Sequence, residues 1–572
     1  MEVDNDEAGR ILSIRLPHPL LAGQRFAAVR YQYDEQGRLI QALDALDQAN
    51  GFAYQGRLIT ARSFPNGGTF TFEYDGQQRC TAALGPEGFY SYRFAYAKGY
   101  TKVTNAVGST STYYHRGDGL VYRIVNSLGA QQYFHYDDFN RLASERDALG
   151  RVSSYLYDEA GNQTRITKPG QGTIQLSYQG LLPVKAVLPG GAVWQWQYDQ
   201  AGNLLESINP LGQTTRYTYQ EGLLRQITDA GGGRTRLMHT YRGHLEGVEL
   251  PDGTQRRYAY DKLGRCTHST DARGNHHQRA YDLLGRVVKV YGLEEQITEL
   301  SYDVMGNLSQ LKDSQTHIAM RYNFLGKLVW RSQKGSQQRF LYNNEGQLIG
   351  VMNEAQDRYH FELDSEGQVV SETGFDGLTR RYRRNLAGQV EQVQGPGDRR
   401  THYHYDLADR LLRVEHPDQG WESYAYNQAG DLVKAENPTQ KVSLERDLLG
   451  RVVKEQAGEH WVQYQYDAPG NRTSITSSLG ADLSQRFNPM GEVLSQQAEG
   501  WQATFERDLM GLETERHLPG GIQSQWKRDG WGRPLWHRVK GPGGLHAPTY
   551  RQQTYQWGLH HRLKALTDPL GG

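Results

Sequence analysis

A hairpin signal that returns about every 21 residues constrains this chain more than any other feature of it. Its best-formed copy runs from Ala192 to Asn203 and reads A-V-W-Q-W-Q-Y-D-Q-A-G-N. Trp194, Trp196 and Tyr198 alternate with Gln195 and Gln197, and a strand sends successive side chains to opposite faces, so the segment predicts a strand with one aromatic face. Asp199 suits the first turn position because its carboxylate accepts nearby backbone N–H groups, and Gly202 takes the positive φ at which the chain folds back. Leu204 and Leu205 open the return strand.

The copies run through most of the chain. Residues 1–30 form a weakly patterned lead-in broken at Pro17 to Pro19, and the repeat region is expected over 31–572, with a blurred section around 80–130. Tyr33-Asp34 with Gly37-Arg38 is the first clean copy, and Tyr74-Asp75 follows with Arg79 but no glycine in the usual place. From Tyr136-Asp137 onward the register is steady, through Tyr157-Asp158, Tyr260-Asp261 and Tyr302-Asp303 to Asp529 with Gly532-Arg533. A second, weaker turn recurs between the main ones, as in Asp147 to Gly150, Asn209 to Gly212 and Asp271 to Gly274. Two strands and two turns fill each unit.

A lone hairpin is marginal in water, so the units must pair edge to edge. About 26 hairpins at ~4.8 Å per strand give a ribbon on the order of 250 Å long, and strand twist forbids that length from staying flat. The expected fold is therefore all-β, with repetitive antiparallel β-hairpins coiled into a large spiral sheet, a shell or a barrel-like cocoon. Composition agrees: 65 Gly and 37 Tyr supply turns and strand-favouring aromatics, and helix-period segments are scarce. Lys+Arg and Asp+Glu each number 64, so no net field attracts nucleic acid or anionic lipid, and neither is expected as a partner. No apolar run reaches the length of a membrane-spanning helix, and the acidic start M-E-V-D-N-D-E is unlike a signal peptide. Cys80 and Cys266 are expected as buried thiols, since a disulfide between such distant units would be unusual.

The Tyr-Asp-x-x-Gly-Arg and Tyr-Asp-x-x-Gly-Asn hairpins, with half-repeats such as Asp147 to Arg151, resemble the YD repeats of bacterial Rhs proteins. Relatives of that family are the C subunits of insecticidal toxin complexes and the teneurins. The resemblance covers residue 31 to the end. It implies a hollow β-sheet shell that holds a C-terminal toxin domain until delivery, often by a type VI secretion apparatus, so the localisation it implies is secreted. The partners it implies are that toxin domain, a type VI spike or adaptor, and an immunity protein. Leu566 to Gly572 fits an ordinary half-repeat better than the core-closing Asp-Pro motif of the family, so a chain broken off in mid-repeat, without its toxin, is expected.

Candidate chemistry is thin. The turn Asp recurs too often for a catalytic carboxylate and is replaced by Asn at Asn323, Asn343 and Asn427, which serves a turn equally well but fails as a base. The Arg or Asn after Gly is expected to bond a neighbouring hairpin's backbone or Asp. His402 and His404 share a strand face and could ligate a metal with a third ligand, while His276-His277 and His560-His561 lack such a pattern. The sequons at Asn162, Asn307 and Asn471 arise from the repeat itself. No phosphate-binding loop, nucleophile elbow or zinc-protease motif occurs. The expectation is a non-enzymatic chain with no catalytic, cofactor or metal residues, whose role is enclosure. The alternative is a surface adhesion or glycan-binding protein that stacks sugars on residues such as Trp194, Trp196 and Trp461.

Overall fold

The computed structural model describes residues 1–292, 296–543, 547–558 and 562–569. They form 54 strands in one sheet. Every strand pairs antiparallel with its predecessor and successor in the chain, from Glu2–Asn5 with Ile11–Pro17 to Thr549–Trp557 with Leu563–Thr567. The strand Val193–Tyr198 is typical, lying between Leu182–Val187 and Leu204–Ile208. Its alternation is as the sequence predicts: Gln195 and Gln197 are exposed, and Trp194, Trp196 and Tyr198 are half-buried.

Residues 1–30 carry no clean repeat, yet Glu2–Asn5, Ile11–Pro17 and Arg25–Tyr33 belong to the same sheet. The blurred stretch around 80–130 stays in the sheet through Tyr92–Ala97, Tyr100–Thr104, Thr110–His115 and Val121–Val125, although Cys80–Leu84 pairs with Tyr92–Ala97 over two residues only. Helical geometry among the described residues is confined to single 3-10 turns such as Pro86–Gly88, Pro396–Asp398 and Pro519–Gly521. None of the described helices is long and apolar enough to cross a membrane.

Of the forms expected, the spiral is the one found. The sheet does not close on itself: its first and last strands each have one strand partner among the described residues. The ribbon coils instead, and residues 235 to 258 positions apart touch at its rims, as Arg273 meets Asp508 and Asn66 meets Phe324. At about 21 residues per hairpin this is roughly 24 strands per winding, or a circumference of about 115 Å and a width near 37 Å at ~4.8 Å per strand. A strand that returns one winding later arrives beside the rim of its predecessor, a hairpin's height away. Edge-to-edge closure is therefore geometrically out of reach.

The wall is one sheet thick, and its burial shows it. The solvent-accessible surface is 33303 Å² for a 64.9 kDa chain. A compact monomer of that mass exposes about 20,500 Å². Among the described residues the buried apolar side chains are Ala82, Ala130, Ala186, Ala192, Val414 and Ala503, and none of them is large. Most side chains are covered on one side by strand neighbours and open on the other.

Candidate functional site

Each main turn is built by its own side chains. At Asp199, Oδ1 accepts the backbone N–H groups of Ala201 (2.9 Å) and Asn203 (2.8 Å), and Oδ2 accepts the Asn203 side-chain amide at 2.8 Å. Gly202 N–H donates to the Asp199 carbonyl at 3.1 Å, with Gly202 at φ 85°. Tyr198 then faces Leu204 across a register shift, the pattern of a turn closed by a G1 bulge. Where glycine is missing, Gln78, Asn140 and Asp409 adopt the same left-handed backbone at φ 63°, 62° and 64°. The side-chain and backbone amides of Asn203 hold the Asp199 carboxyl below its usual value, and the backbone N–H and guanidinium of Arg38 do the same for Asp34. These carboxylates are consumed by the turns.

The residue after the glycine has two partners, as expected for a structural role. Arg141 donates Nε to Asp137 Oδ2 at 2.7 Å and Nη1 to the Asp158 carbonyl of the next turn at 3.1 Å. Arg265 does likewise with Asp261 (2.6 Å) and the Asp282 carbonyl (2.7 Å). The same guanidinium lies over the tyrosine of the following unit, 4.6 Å from the Tyr157 ring for Arg141 and 4.9 Å from Tyr281 for Arg265. That tyrosine in turn donates its hydroxyl to the carbonyl just after the arginine, Tyr157 to Leu142 at 2.9 Å and Tyr281 to Cys266 at 2.7 Å. Asp, Arg and Tyr thus tie unit to unit along the ribbon.

The sequence reading missed one variant of this ladder. Arg384, Arg446, Arg507 and Arg528 stand where the tyrosine is expected. Arg446 donates Nε to the Leu432 carbonyl at 2.9 Å, the tyrosine's bond, and Nη1 to the Gly450 carbonyl of its own turn at 2.7 Å. The available signal was an arginine directly before the turn Asp or Asn.

The windings meet along a seam in which the secondary turns of the first winding contact main turns of the second. Glu345 accepts the Ala106 N–H at 2.7 Å and the Tyr92 hydroxyl at 2.9 Å. Burial and then Glu345 push the Tyr92 hydroxyl up to about 12. Glu366 accepts the Ser127 N–H at 2.9 Å, and Arg151 pairs with Asp409, as Arg273 does with Asp508. A cleft of about 700 Å³ opens on the seam where Gly231 faces Pro469, but its Asp229 and Asp467 carboxylates are engaged in their own turns.

The remaining candidates are placed as follows. His404 Nε2 lies 3.7 Å from Glu415, and His402 faces Glu415 in the strand register. Among the described residues no group of three or more His, Cys, Asp or Glu is arranged to hold a metal ion. His276 meets Thr270 Oγ1 at 3.0 Å; His560 and His561 lie outside the described residues. Ser524 Oγ sits 2.9 Å from His537 Nε2, whose ring stacks on Trp526 at 3.8 Å, and burial lowers the pKa of that histidine. No carboxylate is hydrogen-bonded to this ring among the described residues, so the pair lacks the orienting group of a nucleophilic triad. Cys80 and Cys266 are free and half-buried, not enclosed, because a one-sheet wall covers a side chain on one side only.

Comparison with known proteins agrees with this architecture. The RHS Repeat family model matches residues 136–173, 198–235 and 240–276, and the Teneurin YD-shell model matches 260–373. Probable deoxyribonuclease RhsB of Dickeya dadantii is 27% identical over 176 residues, and Toxin protein Tse5 of Pseudomonas aeruginosa is 30% identical over 150. The matches take in 31% and 25% of this chain and 11% of each relative. Among solved structures, TcdB2-TccC3-TEV superposes over 100% of this chain and 34% of its own, with a TM-score of 0.57 at 14% identity. TcdB2-TccC3 gives 0.56 at 13%, over 100% of this chain and 42% of its own. Repeat chemistry, strand order and matched segments together identify residues 136–173, 198–235 and 240–373 of this chain as YD repeats of the Rhs type.

Proposed function

We propose that this chain is a length of shell wall that encloses a toxin domain, and that it acts by containment without catalysing a reaction. The observation that carries the reading is the surface of 33303 Å² on a continuous, coiled, single-layer sheet. A molecule that spends its chain on two accessible faces separates two volumes, at the expense of the core a globule of this mass would have. The names toxin and deoxyribonuclease belong to relatives of which the matches cover 11%, so the cargo's chemistry is assigned to segments outside this alignment. A type VI spike or adaptor for delivery and an immunity protein in the producing cell complete the proposal on the strength of the family resemblance.

Electron microscopy of the purified chain tests the wall: a ring- or tube-shaped projection with a low-density centre is expected, and a solid particle overturns it. Protease protection of a small reporter domain fused after residue 572 tests the enclosure. Digestion of the reporter at the rate of the free domain would remove it. In that event, saturable binding on a glycan array, lost on Trp501→Ala at the tryptophan that is exposed among the described residues, would favour the adhesion reading.

A further inference from the structure

Bonds across the seam are unevenly spread along it. Toward the start of the chain they follow one another closely: Asn66 donates its side-chain amide to the Phe324 carbonyl at 3.0 Å, Tyr90 N–H donates to the Asn344 carbonyl at 2.8 Å, and Ala106 N–H donates to Glu345 at 2.7 Å. Ser127 N–H meets Glu366, Arg151 pairs with Asp409, and Arg410 Nη2 reaches the Gly170 carbonyl at 3.2 Å. Farther on, Arg273 holds Asp508, and Asn275 Nδ2 donates to the Gly530 carbonyl at 2.9 Å. Between these two bonded parts lie four first-winding turns, Leu188 to Gly191, Asn209 to Gly212, Asp229 to Gly232 and Leu250 to Gly253. Facing them are four second-winding turns, Asn427 to Gly430, Asp447 to Gly450, Asp467 to Gly470 and Asn488 to Gly491. Among the described residues no hydrogen bond or ion pair crosses the seam between these two sets of turns.

The residues that make the bonds elsewhere are missing here on both sides. Glu345 and Glu366 stand just before the glycine of their turns, and each accepts the N–H of the residue that opens the tip of the facing turn, Ala106 or Ser127. In the unbonded stretch the place of the glutamate is taken by Ala429, Leu449, Pro469 and Met490. Three of the facing tips open with Pro189, Pro210 and Pro251, and proline has no N–H to donate. Where Arg151 reaches Asp409, the corresponding residues are Ala192, Gln213, Gly233 and Thr254. Close packing remains, as of Gly231 on Pro469, and it is perforated. Beside the cleft of about 700 Å³ lies one of about 500 Å³ between Leu188 and Trp194 of one winding and Leu448 and Leu449 of the other. In the bonded part, the cleft beside Arg151 and Asp409 is about 250 Å³.

We propose that this stretch is a port in the wall, the place where the two windings part while the hairpins on either side stay paired. The ladders that carry the eight turns are complete, so the windings can separate here without breaking a strand pair. Opening the bonded part gives up hydrogen bonds to carboxylates, whereas opening this part gives up only the contact of small and ring side chains. Four hairpins of two strands at ~4.8 Å make the port about 38 Å long. The inference concerns the joint between windings and stands whether or not the shell holds a toxin.

Two pairs of spin labels in matched positions test it. In the full chain with Cys80→Ser and Cys266→Ser, labels at Leu211→Cys and Leu448→Cys straddle the port, and labels at Leu149→Cys and Leu386→Cys straddle the bonded part; all four leucines are exposed. Pulsed electron paramagnetic resonance then reads the width of the joint as urea is raised, short of strand unfolding followed by amide exchange. The Leu211 and Leu448 pair is expected to lengthen first, with an open fraction about tenfold that of the other pair, the factor that one lost hydrogen bond to a carboxylate gives. Restoring donor and acceptor together, with Pro189→Ala and Ala429→Glu on one flank and Pro251→Ala and Met490→Glu on the other, should bring the two pairs into step. The proposal is overturned if both pairs lengthen together in the parent chain, if the Leu149 and Leu386 pair leads, or if neither lengthens before the strands unfold. It is overturned equally if the restored bonds leave the lead of the Leu211 and Leu448 pair unchanged.

Discussion

At the scale of single residues, the repeat is a relay of three side chains, each of which has a partner in its own turn or the next. Tyr157 shows what one member contributes. Its hydroxyl bond to Leu142 is part-buried, so Tyr157→Phe leaves a carbonyl without its donor and should cost about 1 kcal/mol, felt locally. Amide exchange in the Leu142–Arg146 and Val152–Tyr157 strands should accelerate several-fold, while distant strands keep their protection. The turn carboxylates set an acid limit. Asp34, Asp75 and Asp199 are held below their usual 3.8 in the folded chain, so the stability they supply is complete above that value. It is lost as pH falls through their lower folded values. Tyrosines act in the opposite sense. Tyr92 is raised from 10.0 to about 12, so its contribution is complete below pH 10 and disappears between 10 and 12. Denaturant midpoints followed against pH should therefore be flat between about 7 and 10, decline below about 6.5 as the unfolded chain takes up the proton that burial keeps off His537, and fall further below about 4 and above about 10.

At the scale of the hairpin, the geometry was legible because one turn chemistry is repeated and each copy corroborates the others. Asp199, Gly202 and the alternating Trp194, Trp196 and Tyr198 fixed turn, register and face together. What stayed hidden were substitutions that conserve a bond while changing the residue. Gln78 in place of glycine looks like a broken copy, yet the backbone there is the same. Arg446 in place of tyrosine looks like an absent ladder, yet the Leu432 carbonyl is still capped. Equivalence of the two side chains is testable: Arg446→Tyr should retain strand protection near Leu432, whereas Arg446→Ala should lose about 1 kcal/mol there by urea-dependent exchange. The seam was illegible for a different reason. Its contacts join residues 235 to 258 positions apart, set by the circumference of the coil, and no local pattern states that number.

At the scale of the whole molecule, stability in a ribbon of this kind is a sum over neighbouring units, with the two end strands supported on one side. Opening should therefore begin at the ends. Hydrogen exchange followed along the chain is expected to be fastest in Glu2–Asn5 and Leu563–Thr567 and slowest in the mid-ribbon strands between Val287 and Tyr342, rising in protection over several hairpins from each end. Uniform protection from end to end would mean that the coil melts as one unit.

Contacts at the seam have a further consequence. Arg273 reaches both Asp508 and the Gly530 carbonyl, which belong to successive main turns, and Glu345 is held by both Tyr92 and Ala106, which flank successive secondary turns. The two layers of turns are offset by half a unit, like bricks laid in running bond. A fracture following the joint would have to zigzag around every corner, and one layer cannot slip past the other without breaking two grips at each step. Such masonry yields to being lifted apart more readily than to being sheared, so a force along the coil's axis is the one that would open the joint.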